Sequence, residues 1–377
     1  MPVPRCDVLV VGGGVIGATA AYRLARAGHQ VRLVDHSGGR GASWAAAGML
    51  APVSEASFGE AALTRLNLAA VPAFRSLAAE LEAGTAISIG LRSEGTLVVA
   101  FNADDKAALD RLSTYRESLN LDTERLSGSA VRALEPYLAA GVRAGVLAPA
   151  DLSVDNRRYL AAARQAGIAA GVRFDGGQVS ELTRRAGRVT GVRLSSGMEH
   201  AAAEVLLCSG AATERLVRAG VQPVKGQILR LAVPERLRAG AGNGVLGHTV
   251  RGLVRGSEVY LVPRAGGEVV VGATSEQQGH DTTVTAGGVY ELLRTAYELL
   301  PVSSEFSFVE AIAGSRPGTA DNGPLLGRLE PGLLLATGHY RNGVLLSAIT
   351  ATAVTALVAG DPVAPEWEPF DARRFIS

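Results

Sequence analysis

Cysteine, lysine and aromatic side chains are scarce in this chain, and each shortage excludes something. Two cysteines, Cys6 and Cys208, stand in 377 residues, each beside an apolar run. They read as reduced core thiols, which excludes a disulfide framework and fits a cytoplasmic protein. No cluster of Cys and His has metal-ligand spacing, so no metal is expected. Lysine occurs only at Lys106 and Lys225, and arginine carries nearly all the positive charge. The formal net charge is +1, which gives no basic field for nucleic acid or an anionic membrane. The N-terminal apolar run is broken by Asp7 and three glycines, so no signal peptide is expected. One uncharged run, Gly343 to Gly360, has the length to tempt a membrane assignment. Its Ala and Thr content, with Ser347, Thr350, Thr352 and Thr355, predicts a helix buried against a sheet instead.

Glycine and small apolar residues are abundant, with 46 glycines and a hydrophobic fraction of 47%. The length suits two packed domains. The chain is organised around Cys6 to His36. Val8 to Val11 reads as a buried strand, Gly12-Gly13-Gly14-Val15-Ile16-Gly17 as a G-x-G-x-x-G turn, and the next residues as a helix ending at Gly28. A second apolar strand, Val31 to Val34, ends at Asp35. In this order the parts bind a dinucleotide. Gly12 permits the turn, Gly14 admits the pyrophosphate, Gly17 lets helix pack on strand, and Asp35 accepts from the ribose hydroxyls. The acid fits an unphosphorylated ribose, hence NAD or FAD.

Further along, Ala61 to Glu82 and Asp104 to Leu119 read as amphipathic helices, and 178–183 with 188–194 as a hairpin. Glu204 to Cys208 is a buried strand running into Ser209-Gly210 and a helix. Strands are also expected over Gly226 to Val233, Val259 to Pro263, Glu268 to Ala273 and Glu305 to Ile312. Nucleotide-type strand edges lie at the start, middle and end of the chain. The predicted fold is therefore α/β, with a discontinuous Rossmann-like domain over 1–85, 150–225 and 312–377. A substrate domain with a large mixed or antiparallel sheet takes 86–149 and 226–311.

Several further stretches carry a family resemblance: ASWAAAGMLAP at 42–52, LCSGA at 207–211, PVKGQ at 223–227, YLVPR at 260–264, GATSE at 272–276, SRPGTADNGPLLG at 315–327 and ATGHYRNGVLLSAITA at 336–351. With the glycine run and Asp35, they resemble the D-amino-acid oxidase superfamily of flavoproteins, and within it the glycine oxidases of thiamin biosynthesis. The region from about 55 to 145 adds little to the match. The resemblance implies FAD-dependent oxidation of glycine, sarcosine or small D-amino acids to the imino acid, with O2 reduced to H2O2. A dehydrogenase passing electrons to another acceptor, an NAD-dependent dehydrogenase and a nucleotide-binding module without turnover remain alternatives. It also implies non-covalent FAD, since neither cysteine is near the C-terminal motifs, and a homo-oligomer, a tetramer among relatives.

The resemblance assigns residues to roles. Arg316 and Tyr260 would bind the substrate carboxylate, the first as a bidentate guanidinium. Their alternatives are a solvated loop arginine and a half-buried strand tyrosine. Arg341 would stand near the substrate or close the site through an ion pair, and Ala51 would border the substrate. FAD would contact Gly12, Gly14, Val15, Ile16, Gly17, Asp35 and His36, then Ala42, Ser43, Ala46, Ala47, Gly48 and Met49. Val179 would meet adenine through its main chain, and Ser209 and Gly210 the dinucleotide. His339, Arg341, Asn342, Gly343, Val344 and Leu345 would face the flavin pyrimidine, where the following helix dipole stabilises negative charge. His339 would be held by backbone geometry and carry no proton. Ser315, Asn156, Glu258, Ser275 and Ala51 depart from the usual residues and bear on which amine is preferred.

Overall fold

The structure of the chain is a computed structural model that describes residues 6–238 and 244–376. Two eight-stranded sheets organise it. In the first, the path runs from Leu325–Glu330 through Leu333–Thr337, Glu199–Leu207, Cys6–Val11 and Val31–Asp35 to Arg173–Gly176. The pairings along it are parallel except that of Leu325–Glu330 with Leu333–Thr337. The hairpin of Val179–Arg185 and Arg188–Leu194 is attached through Glu199–Leu207. This is the doubly wound arrangement that the alternation of apolar strand and helix predicts.

One face of this sheet is covered by helices Val15–Arg26, Ala61–Thr85, Asn156–Ala169 and Gly343–Ala359, which share a continuous apolar core with it. The buried hydroxyl of Tyr159 ties three of them together, 3.1 Å from Thr19 Oγ1 and 2.7 Å from Ser347 Oγ. The Ala/Thr-rich run is thus an internal helix. Its small side chains let it pack closely on Val15–Arg26, and no helix among the described residues is long and apolar enough to cross a membrane.

The second sheet has the order Ser307–Gly318, Gln222–Ala232, Glu268–Gly272, Ser257–Pro263, Thr249–Val254, Thr96–Ala100, Ala144–Ala148, Glu124–Ser127. It is antiparallel except where Thr249–Val254 runs parallel to Thr96–Ala100. Helix Ala286–Leu299 covers one face through Leu292, Ala296 and Leu299. The other face looks toward the first sheet's loops and forms the site.

Two features differ from the sequence reading. Strand Thr249–Val254 is unforeseen, because Arg251, Gly252, Arg255 and Gly256 interrupt its apolar pattern. The helix expected after Ser209-Gly210 is a six-residue 3-10 segment, Gly210–Arg215. The boundaries at 225/226 and 311/312 fall inside the long paired strands Gln222–Ala232 and Ser307–Gly318. Both strands begin or end beside the first sheet's loops and lie in the second sheet for their whole length.

Candidate active site

The dinucleotide side is built from backbone. Gly12 has φ +104°, and a Cβ there would overlap the Cys208 carbonyl. A Cβ on Gly17 would overlap the Gly12 carbonyl oxygen. Gly12 thereby brings Ser209 and Gly210, on the loop after Glu199–Leu207, against the glycine turn. Helix Val15–Arg26 starts without a side-chain cap at Gly14; Ser43 Oγ accepts from Val15 N at 3.0 Å. A Cβ on Gly14 would stand 2.8 Å from that oxygen. The turn is therefore a glycine-lined cradle at a helix N-terminus, the geometry that accepts a pyrophosphate.

Asp35 closes the cradle at the end of its strand. Its Oδ2 accepts from Gly39 N at 2.6 Å and Ser37 Oγ at 3.2 Å, leaving Oδ1 for a ribose hydroxyl. His36 is exposed beside it. Gly177 N donates to the Asp35 carbonyl at 3.2 Å, which puts Val179 at the same strand end. Arg164 was not foreseen here. Its Nη1 is buried without a partner among the described residues and lies 3.1 Å from where a Cβ on Gly13 would stand.

The small-residue segment Ala42 to Met49 borders a cavity of about 780 Å³. Gly48 has φ +69° and lies so close to Val154 O that a Cβ would overlap it. The segment is fastened from behind. Asn156 Nδ2 donates to Ser43 O at 2.7 Å and Trp44 O at 3.2 Å. Arg264, at the end of YLVPR, donates to Val154 O at 2.6 Å and to Ala47 O. Burial pushes its guanidinium down to about 10, and among the described residues it spends its donors chiefly on carbonyls. The departure at Asn156 thus has a structural use, since its amide supplies two donors that a proline lacks.

Tyr260 and Arg316 meet across the cavity from this segment. Arg316 lies over Gly226, where a Cβ would overlap its guanidinium. Tyr260 lies over Gly272, where a Cβ would overlap the phenol. The glycines of PVKGQ and GATSE therefore make room for the two side chains. Arg316 donates Nη1 to Thr274 O at 3.2 Å and has no carboxylate within 4 Å among the described residues. Burial pushes the Tyr260 phenol up, while the Arg316 charge opposes it, so the phenol stays a protonated donor. A guanidinium without an anionic partner beside a hydroxyl donor has the chemistry to accept a carboxylate.

The third wall is the start of helix Gly343–Ala359. Tyr340, with φ +45°, turns the chain, and its N donates to Pro317 O at 3.0 Å. That bond ties the wall to the Arg316 strand. Tyr340, Arg341 and Val344 border the cavity, while Leu345 is core. Asn342 is buried and caps the turn through its main chain, with its N on His339 O at 2.9 Å. The helix start at Asn342 and Gly343 has no side-chain cap. Burial pushes His339 down to about 3, and its Nε2 is 3.0 Å from Thr350 Oγ1. It is a neutral structural imidazole. Desolvation works against the Arg341 charge, but Tyr340, Glu55 and Glu258 more than offset it.

The chain matches the family model described as "FAD dependent oxidoreductase" over residues 7–357. It belongs to that family. The FAD dependent oxidoreductases similar to it include the glycine oxidase of Geobacillus kaustophilus, 35% identical over 99% of this chain and 98% of that protein. The bifunctional protein ThiO/ThiG of Synechocystis sp. is 34% identical over 98% of this chain, which spans 54% of that protein's length. The crystal structure of the G. kaustophilus glycine oxidase superposes with a TM-score of 0.91, 33% identity and full coverage of both chains.

As an FAD dependent oxidoreductase the chain is an enzyme with a resident FAD, and the glycine cradle, Asp35 and the small-residue segment fit it. Ala51, assigned to the substrate, does not line the cavity, and neither do His339, Asn342, Gly343 and Leu345 among those assigned to the flavin. Ala51 is buried one residue past the short strand Met49–Leu50, outside the cavity lining. The sequence reading also missed Arg251 and Glu55, which do line the cavity. Arg251 rides the unforeseen strand, and Glu55 ends the apolar run after Met49.

Proposed function

We propose that this chain oxidises glycine, with sarcosine and small D-amino acids as further substrates, to the imino acid while O2 is reduced to H2O2. The imine would feed thiazole assembly in thiamin biosynthesis. When bound, FAD would supply the two-electron acceptor for a hydride from the substrate's α-carbon, with O2 as the terminal oxidant. The chain's own residues bind and orient. Arg316 holds the carboxylate bidentately and Tyr260 donates to it, which fixes the α-carbon over the cavity floor formed by Ala46, Ala47 and Gly48. The helix starting at Gly343 would direct its positive dipole end toward negative charge developing on a bound flavin. No side chain is required as a base if the amine arrives neutral.

The observation that carries this reading is the pair of side chains laid over glycines, Arg316 on Gly226 and Tyr260 on Gly272, facing a segment of small residues. The high likeness to glycine oxidases over the full chain supports the substrate class. Non-covalent FAD is supported by the positions of Cys6 and Cys208, both buried in the first sheet's core. A cytoplasmic homo-oligomer is part of the same proposal. The test is an anaerobic absorbance spectrum of the purified protein before and after glycine, with peroxide assayed on readmitting air. Bleaching followed by peroxide is expected. Bleaching without peroxide would make it a dehydrogenase, and a spectrum unmoved by glycine but bleached by sarcosine would change the substrate.

A further inference from the structure

Beside Tyr260 the cavity carries an ion pair that carboxylate binding does not use. Arg251 stands across from Tyr260 in the antiparallel ladder, so the two side chains share the cavity face. Arg251 Nη1 lies 3.2 Å from Glu55 Oε1, with the side chains 17% and 12% exposed. The turn that presents Glu55 is held on all sides. Arg116, itself buried, donates Nε to Ala56 O at 3.2 Å and Nη2 to Ser54 O. Asp151, fully buried, accepts from Val53 N at 2.9 Å and Ser54 N at 3.2 Å. Glu55 N donates to Ala51 O at 3.1 Å, which gives Ala51 an indirect place in the site. Burying Arg116 and Asp151 to fix one turn is unfavourable in itself. What the turn gains is a fixed Glu55 carboxylate.

A substituent on the substrate that extends past Tyr260 meets this pair. An apolar substituent strips water from both charges and returns no hydrogen bond. A carboxamide or hydroxyl accepts from Arg251 and donates to Glu55. We propose that the Arg251–Glu55 ion pair is a specificity-determining element that favours polar over apolar substituents in ligands larger than glycine. The proposal rests on the functional reading for the position of the carboxylate at Arg316.

The test uses two carboxylates of equal size, succinamate and isocaproate, which differ in ending with a carboxamide or an isopropyl group. Their dissociation constants are read from the perturbation of flavin absorbance in the holoenzyme. Succinamate is expected to bind about tenfold or more tightly. In the double variant Arg251→Met with Glu55→Gln, that preference is expected to vanish. Equal affinities in the unaltered protein, or tighter isocaproate, overturn the proposal, and so does a preference that survives in the double variant. Glycine bleaching is read separately. Its failure breaks the functional reading and leaves the two dissociation constants to decide the ion pair.

Discussion

The two sides of the cavity are made of different material. The dinucleotide side consists of main chain brought close by missing Cβ atoms at Gly12, Gly14, Gly17 and Gly48. The carboxylate side consists of charged and phenolic side chains set on the broad second sheet. Local sequence can specify the first, because a turn, its helix and the acid that follows lie within thirty-odd residues. The second is assembled from the strands carrying Arg251, Tyr260 and Arg316 together with the turn at Glu55, which lie far apart in the chain. The difference predicts different failures: backbone crowding should remove the cofactor, and side-chain loss should remove turnover and leave the colour.

The largest effect is expected at Gly17. A methyl there overlaps the Gly12 carbonyl oxygen, and neither helix nor strand can retreat without opening the cradle. The cost of overpacking is about 3 kcal/mol or more. Gly17→Ala should purify colourless or fail to fold, and FAD titration by flavin fluorescence should show affinity lowered by at least about a hundredfold. Retention of stoichiometric FAD would show that the dinucleotide side does not depend on the missing Cβ.

Next is Arg316→Ala. The guanidinium is a cavity cation with no carboxylate partner among the described residues, and removing one side of a desolvated charge pair costs about 2–5 kcal/mol. Glycine turnover, as kcat/KM, should fall by about thirtyfold to several thousandfold. The yellow spectrum should stay. Unchanged turnover would remove Arg316 from the carboxylate site and transfer the role to Arg341 or Arg251.

These two predictions also mark how far the sequence could be read. The first sheet, its helices and the glycine turn were legible because period, caps and glycines are local signals. Arg316 and Tyr260 were legible only through resemblance, since a strand tyrosine and an arginine before proline have no chemistry of their own. Gly226 and Gly272 explain the placement afterwards, because a glycine's use is visible only when its cross-strand neighbour is known. Arg251 was invisible because the strand that carries it is broken by glycines and charges. Ala51 belongs to a motif in which Met49 lines the cavity, but is itself buried outside the lining.

A smaller effect tests the helix wall. Burial holds His339 down to about 3 from an ordinary value of 6.5. Its folded-state pKa is depressed, so the unfolded chain binds the proton more readily between those two values. Stability is therefore present above about pH 6.5 and falls as pH drops, by about 1.4 kcal/mol per unit. Denaturant melts should lose about 2 kcal/mol between pH 6.5 and 5 from this group. His339→Asn should flatten that slope at some cost in stability at neutral pH. An unaltered slope would mean that other groups govern acid unfolding.

The smallest expected effect lies between the two sides, at Ser315. Its hydroxyl is buried with no hydrogen-bond partner among the described residues, opposite Lys225 in the ladder. Successive strand residues face opposite ways, so Ser315 points away from the cavity while Arg316 points into it. An unsatisfied buried hydroxyl costs about 1–3 kcal/mol, and removing it leaves only a small void. Ser315→Ala should therefore raise stability by up to about 1 kcal/mol in denaturant melts, with glycine kcat/KM unchanged. A fall in activity would mean that the residue before Arg316 sets the guanidinium's position through the strand, and the clean separation of the sheet's two faces would not hold at this point.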